Sequence, residues 1–260
     1  MIDTGDPRIE LSVSGHVATI CINRPDKLNA LDFSMIAALG RAAGLIEGAK
    51  EVRCAIITGT GEKSFCAGGD IAAWASLTPE EFGMQWIRLG HRAFDALARL
   101  RVPLIAALNG HTLGGGLEVA ATADMRIAEE HAKFGLPETG IGVIPGWSGT
   151  QRIVRRFGPN LAKRMALFGT VLTADEALAS GLVDAVVPKS ASLAAAQAQA
   201  EKVVARGPNA TQLAKLLINA AEGEEREAAL ETAASIAVAS GAELQQGLAA
   251  FRLKRKPSMN

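Results

Sequence analysis

Apolar positions near the start of the chain fall in short alternating or unbroken runs. Ile9 to Ser14 and Val17 to Asn23 flank Gly15-His16 and read as a β-hairpin, which Arg24-Pro25-Asp26 ends. Cys54 to Gly59 and Leu104 to Leu108 are apolar runs of strand length, the pattern of buried strands. Met125 to Ala128 and Ala132 to Gly135 extend the set. Between these runs the period becomes helical. Asp32 or Ser34 can cap a helix running to about Gly48. Thr78, with Glu81 three residues on, forms a capping box for a helix from Pro79 to about Leu100, and Pro103 stops it. Strand, loop and helix thus recur in blocks of roughly fifty residues, without a letter-level repeat, which predicts an α/β core built in successive turns.

After about Pro188 the pattern is helical. Leu213, Leu216, Leu217 and Ala220 share one helical face. Leu230, Ala234, Ala237, Gly241, Leu244, Leu248 and Phe251 fall at alternating steps of four and three, an apolar stripe suited to packing on another helix or subunit. Gly241 predicts a break near Ser240. The expected division is an α/β core over 1–190 and a helical region over 191–260.

Composition narrows the function classes. Hydrophobic residues make up 48% of the 260, so a substantial core can be buried. Much of that content is alanine, and aromatics are 4% with no tyrosine, which favours closely packed helices. Lys+Arg and Asp+Glu are both 27, so no global field draws nucleic acid or a membrane surface, and an anionic ligand needs a local basic cluster. No apolar run reaches the length of a membrane span. The first seven residues lack a basic start and an apolar stretch, which gives the expectation of a cytoplasmic protein. Cys21, Cys54 and Cys66 have no CxxC spacing. His16, His111 and His131 have no metal-ligand spacing, and His91 reads as a solvated residue of the long helix. Neither a metal nor a redox cofactor is expected.

Three glycine-bearing segments carry the candidate chemistry. Phe65-Cys66-Ala67-Gly68-Gly69-Asp70 and Gly114-Gly115-Gly116 offer backbone N–H groups where small residues let a ligand approach. Glu118 follows the triplet, and Glu138 follows Phe134-Gly135-Leu136-Pro137. Taken singly, each cluster reads first as a tight turn, and each glutamate as a cap or surface residue rather than a catalytic one. Neither cluster has the GxGxxG dinucleotide pattern, and Gly59 to Ser64 lacks P-loop spacing. Two carboxyls with a pair of amide donors suit a reaction that moves protons around a carbonyl and stabilises its enolate.

These segments together resemble the crotonase, or enoyl-CoA hydratase/isomerase, superfamily. The resemblance runs from Asn23-Arg24-Pro25-Asp26-Lys27-Leu28-Asn29-Ala30-Leu31 through Phe65 to Ile71, Asn109 to Glu118, Phe134 to Gly146 and Gly149 to Arg152, and ends at Gly247 to Lys256. It implies a spiral of repeated ββα turns with a C-terminal helical trimerisation region, and an acyl-CoA thioester ligand, coenzyme A being part of the substrate. By match to the family motifs, the N–H groups of Ala67 and Gly115 form an oxyanion hole, and Asp70 holds its loop. Lys27, Leu28 and Ala30 line the CoA nucleotide site, and Gly68, Ile71, Gly114 and Trp147 join the substrate site. Phe251 and Lys254 match a pair that closes a neighbouring subunit's pocket in a homotrimer or dimer of trimers. The implied reaction is hydration of trans-2-enoyl-CoA, with Glu118 activating water and Glu138 protonating the α-carbon; the reverse assignment is equally compatible with the sequence. An enoyl-CoA isomerase and a non-catalytic acyl-CoA-binding protein are the alternatives. Ala72-Ala73-Trp74 stands where hydratases often carry Lys, and Trp147 where small residues are common.

Overall fold

The computed structural model describes residues 1–239 together with 246, 248, 252, 253 and 255. They fall into two compact units, the first over Met1–Gln212 and the second beginning at Leu213.

The first unit opens with the expected hairpin, β1 (Ile9–Ser14) and β2 (Val17–Ile22), paired antiparallel. Asp32 caps α1 (Phe33–Gly48) by accepting the Met35 N–H at 3.1 Å. β3 (Cys54–Gly59) lies parallel to β2 and is followed by the short β4 (Ser64–Cys66). Next come α2 (Ile71–Trp74) and α3 (Pro79–Glu81), the latter started by the Thr78–Glu81 capping box. A π-helical turn, Phe82–Ile87, then leads into α4 (Arg88–Ala98). The sequence pattern gave one regular helix here. The wider turn instead lets Phe82, Trp86 and Ile87 all face one pocket, an interruption typical of functional positions.

Later turns repeat the plan. β5 (Leu104–Leu108) and β6 (His111–Leu113) precede α5 (Gly115–Ala120). β7 (Met125–Glu129) and β8 (Lys133–Gly135) precede a single 3-10 turn, Glu138–Ile141, then α6 (Gly149–Phe157) and α7 (Pro159–Phe168). β9 (Leu172–Thr173), α8 (Ala174–Ala179), β10 (Ala185–Val187) and α9 (Ser192–Val204) complete the unit. From β3 onward one strand of each successive pair joins a six-stranded sheet, β1-β2-β3-β5-β7-β10, and the other a four-stranded sheet, β4-β6-β8-β9. This alternation between two sheets is the spiral of ββα turns.

Strand periodicity divides the core. Ala55 and Ile57 point into the main cluster, with Met35 and Leu39 of α1 and Phe94 of α4. Cys54 and Ile56 point to the other face, against Ala196 and Ala200 of α9. Because α9 seals that face, the compact unit runs past residue 190, where the sequence character changes, to Gln212.

The second unit contains the C-terminal part of α10 (Pro208–Ala221) and α11 (Arg226–Ala239). On α10 Leu217 is exposed. Gly241, Leu244 and Phe251 of the predicted stripe lie outside the described residues. No helix among the described residues is long and apolar enough to cross a membrane.

Candidate active site

Two backbone rails form one wall. After the single turn Pro25–Lys27, Leu28 (φ 52°) and Asn29 (φ 59°) are left-handed. The buried Asn29 side chain pins this bend, donating to the Thr60 and Ser64 carbonyls at 2.9 Å and accepting the Arg24 N–H at 2.9 Å. The chain then runs beside the glycine segment: Ala67 N–H donates to Leu28 O (3.0 Å), Leu31 N–H to Gly68 O (2.8 Å) and Asp70 N–H to Leu31 O (2.8 Å). Asp70 caps α2 through Ala72 N–H and pairs with Arg24 at 2.8 Å.

This arrangement corrects one residue of the expected oxyanion hole. The Ala67 N–H is already committed to Leu28 O and is not free for a ligand. Gly69, two residues on, lines the same pocket, and its N–H has no acceptor among the described residues.

The second donor comes from the start of α5. Gly114 sits at φ 53°, ψ −127°, a conformation that glycine adopts readily and other residues do not. That bend starts α5 at Gly115, whose N–H belongs to the first turn and lies outside the helical ladder. The two glycine segments meet backbone to backbone: a Cβ on Gly116 would stand 2.0 Å from Cys66 O. Only this close approach lets the Gly69 and Gly115 amides line one pocket.

Glu118, in the first turn of α5, is 2% exposed. Its Oε1 accepts the N–H groups of Trp147 and Gly149, both at 2.7 Å. Burial lifts its pKa to about 8 and the Glu138 carboxyl adds to the rise, while the two amide donors and the Arg152 charge oppose it. Glu138 opens the 3-10 turn after β8, and burial lifts it to about 7. Its Oε2 is buried without a hydrogen-bond partner among the described residues.

Trp147 serves both core and site. Its ring packs against Trp86 (4.9 Å between centroids) and Phe94 (5.2 Å), and it also lines the pocket. Beside it Ser148 is left-handed (φ 71°), and its Oγ contacts His91 Nδ1 at 2.8 Å. His91 therefore braces the bend that carries both donors to Glu118; it is not simply a solvated helix residue.

Both glutamates, Gly114, Gly115 and Trp147 line one pocket of about 230 Å³, together with Ala67, Gly68 and Ile71. Leu28 borders a separate hollow with Lys63 and Lys189, and Lys27 and Ala30 line neither. Phe251 and Lys254 lie outside the described residues. The sequence reading left Gly69, Ser148 and Gly149 without a role. Position 69 had a signal in the glycine pair before Asp70, and Gly149 one in its motif; nothing in the sequence marked Ser148. Among the described residues no group of three or more His, Cys, Asp or Glu side chains could hold a metal ion.

A profile of the enoyl-CoA hydratase/isomerase family matches residues 12–260. A short-chain-enoyl-CoA hydratase of Clostridium acetobutylicum is 43% identical over 209 residues, covering 80% of each chain. A crotonyl-CoA hydratase of Syntrophomonas wolfei is 39% identical over 246 residues, covering 92% of this chain and 93% of that one. In structure, an enoyl-CoA hydratase from Bacillus anthracis superposes with a TM-score of 0.80 at 34% identity, covering 96% of this chain and 98% of that one. The fold is of the crotonase type. The chain belongs to the enoyl-CoA hydratase/isomerase family.

Proposed function

We propose that this chain adds water to a trans-2-enoyl-CoA to give a 3-hydroxyacyl-CoA. The observation that carries this reading is the convergence of two raised-pKa carboxyls and two unengaged backbone amides on one pocket. The thioester oxygen is held by the Gly69 and Gly115 N–H groups, each such donor typically contributing about 10²–10³ in rate. Water attacks the β-carbon. The new C–O bond forms as the C=C π pair shifts to the thioester oxygen, giving an enolate. The enolate then takes a proton at the α-carbon, so the net change is gain of one water without oxidation or reduction.

Two facing carboxyls in a buried site share one proton near neutral pH, so one can accept a proton from water while the other supplies one. We assign the base to Glu118 and the acid to Glu138. Depth of burial alone would leave the shared proton on Glu118 at rest. The two short amide contacts at its Oε1 support a carboxylate there once water lies between the pair. The orphaned Glu138 Oε2 suits the proton carrier. The exposed Lys27 and Leu28, on the rail beside the pocket, suit the nucleotide end of CoA.

A homotrimer, or a dimer of trimers, is part of the same reading. Leu167, Phe168 and Val171 form an exposed apolar surface at the end of α7, with Phe168 81% exposed, which supports burial against another copy. Light scattering of Phe168→Asp, expected to give a smaller particle, tests it.

The deciding assay is crotonyl-CoA as substrate. Loss of enoyl absorbance with product heavier by one water is expected. Double-bond migration in a 3-enoyl-CoA without hydration favours an isomerase, and tight CoA-ester binding with no turnover favours a carrier.

A further inference from the structure

The chain has three tryptophans and no tyrosine. All three, Trp74, Trp86 and Trp147, line the pocket that holds the two glutamates. Aromatics are 4% of the residues, so this wall concentrates a scarce residue type. The rings are fixed from behind. Trp86 meets Phe33 edge-on (4.9 Å, 67°), and Trp147 meets Phe94 (5.2 Å, 73°). Trp147 Nε1–H also donates to Trp86 O at 3.3 Å. Room for the indole is made inside α4, where a Cβ on Gly90 would stand 2.2 Å from the Trp147 ring. Glycine is a poor helix former, so its use at position 90 fits the need for this ring.

Size and rigidity both select for a flat group. A cavity of about 150 Å³ accepts a benzene ring. The pocket's roughly 230 Å³ leaves room beside a ring for the reacting carbons, and little for a long chain. A rigid ring gains edge-to-face contact with immobile indoles, whereas a flexible alkyl chain must give up rotamer freedom to enter.

We propose, resting on the reading that this pocket hydrates 2-enoyl thioesters, that its acyl slot takes a 3-aryl-2-propenoyl group in preference to a long straight alkyl chain. The saturated esters 3-phenylpropanoyl-CoA and decanoyl-CoA cannot undergo hydration or dehydration, so they read the slot alone. Calorimetric titration of the full chain is expected to give a Kd for the phenyl ester about fivefold or more below that of decanoyl-CoA. Trp86→Leu is expected to shrink that ratio by about two- to tenfold, the worth of one aromatic pair. Equal or tighter binding of decanoyl-CoA overturns the inference, as does a ratio unchanged in the variant. If Trp86→Leu does not fold, Phe82→Leu replaces it with the same expectation. Crotonyl-CoA turnover is measured alongside. Hydration of crotonyl-CoA with a decanoyl preference sinks the aryl slot alone, whereas no hydration sinks the hydratase reading and this inference with it.

Discussion

The Gly149 N–H donates to Glu118 Oε1 at 2.7 Å, and a Cβ at position 149 would stand 2.5 Å from that same oxygen. The glutamate is thus held by an amide at a spot where no side chain fits. Gly149→Ala must push the carboxyl aside while leaving both glutamates in the chain. A misplacement of about 1 Å can cost on the order of 10²-fold in rate. Steady-state kinetics with crotonyl-CoA should show kcat lower by about 10- to 100-fold, with an unchanged circular dichroism spectrum.

Glu118→Gln and Glu138→Gln are each expected to lower kcat by at least about 10²-fold, the usual scale of general acid–base contributions. Exchange of the α-protons of butyryl-CoA in heavy water separates their roles, because it needs the oxyanion hole and the α-carbon's proton carrier but no attacking water. Glu138→Gln should lose exchange and Glu118→Gln should keep it. The opposite result reverses the two roles.

In the proposed mechanism, the bond from Ala67 N–H to Leu28 O leaves Gly69 as the amide that joins Gly115 in the oxyanion hole. Replacing the Gly69 amide by an ester, with glycolic acid in place of glycine, removes one donor and keeps the shape. It should cut kcat by about 10²–10³. The same change at Ala67 deletes only the bond to Leu28 O, so it should lower the melting temperature and leave kcat nearly intact. Equal losses of kcat at both positions would return Ala67 to the hole.

Much of the frame was legible because it rests on local signals. The Asp32 cap and the Thr78–Glu81 box are short-range hydrogen-bond patterns, and both form where their spacing puts them. The central strands declared themselves by being apolar on both faces. β4 and β6 escaped notice because these three-residue strands lie within or beside glycine-bearing segments that read as loops. The π turn at Phe82–Ile87 escaped because it has no composition of its own and is visible only through the pocket it serves. Both glutamates could be picked from their glycine-bearing contexts. The choice between Ala67 and Gly69 could not, since it depends on a hydrogen bond from a segment nearly forty residues upstream. Ser148 stayed silent for the same reason: its partner, His91, lies far back in the sequence.

The raised Glu118 pKa ties stability to pH. A carboxyl whose pKa is lifted from 4.5 to about 8 on folding binds its proton more tightly in the folded chain. Its contribution is fully present below the unfolded value and is lost as pH rises through the folded one. The other groups that folding shifts mostly change charge outside the upper part of that window. Burial holds His111 below the usual histidine range and pushes the Cys66 thiol up to about 12. Glu138, lifted to about 7, has spent most of its effect by then. Between about pH 7 and pH 8.5 the melting temperature of the ligand-free protein should therefore fall, chiefly through Glu118. Glu118→Gln cannot titrate, so scanning calorimetry should find a smaller fall in the variant. An identical slope in both proteins would mean that Glu118 is already ionised across this range and does not carry the pair's proton at rest.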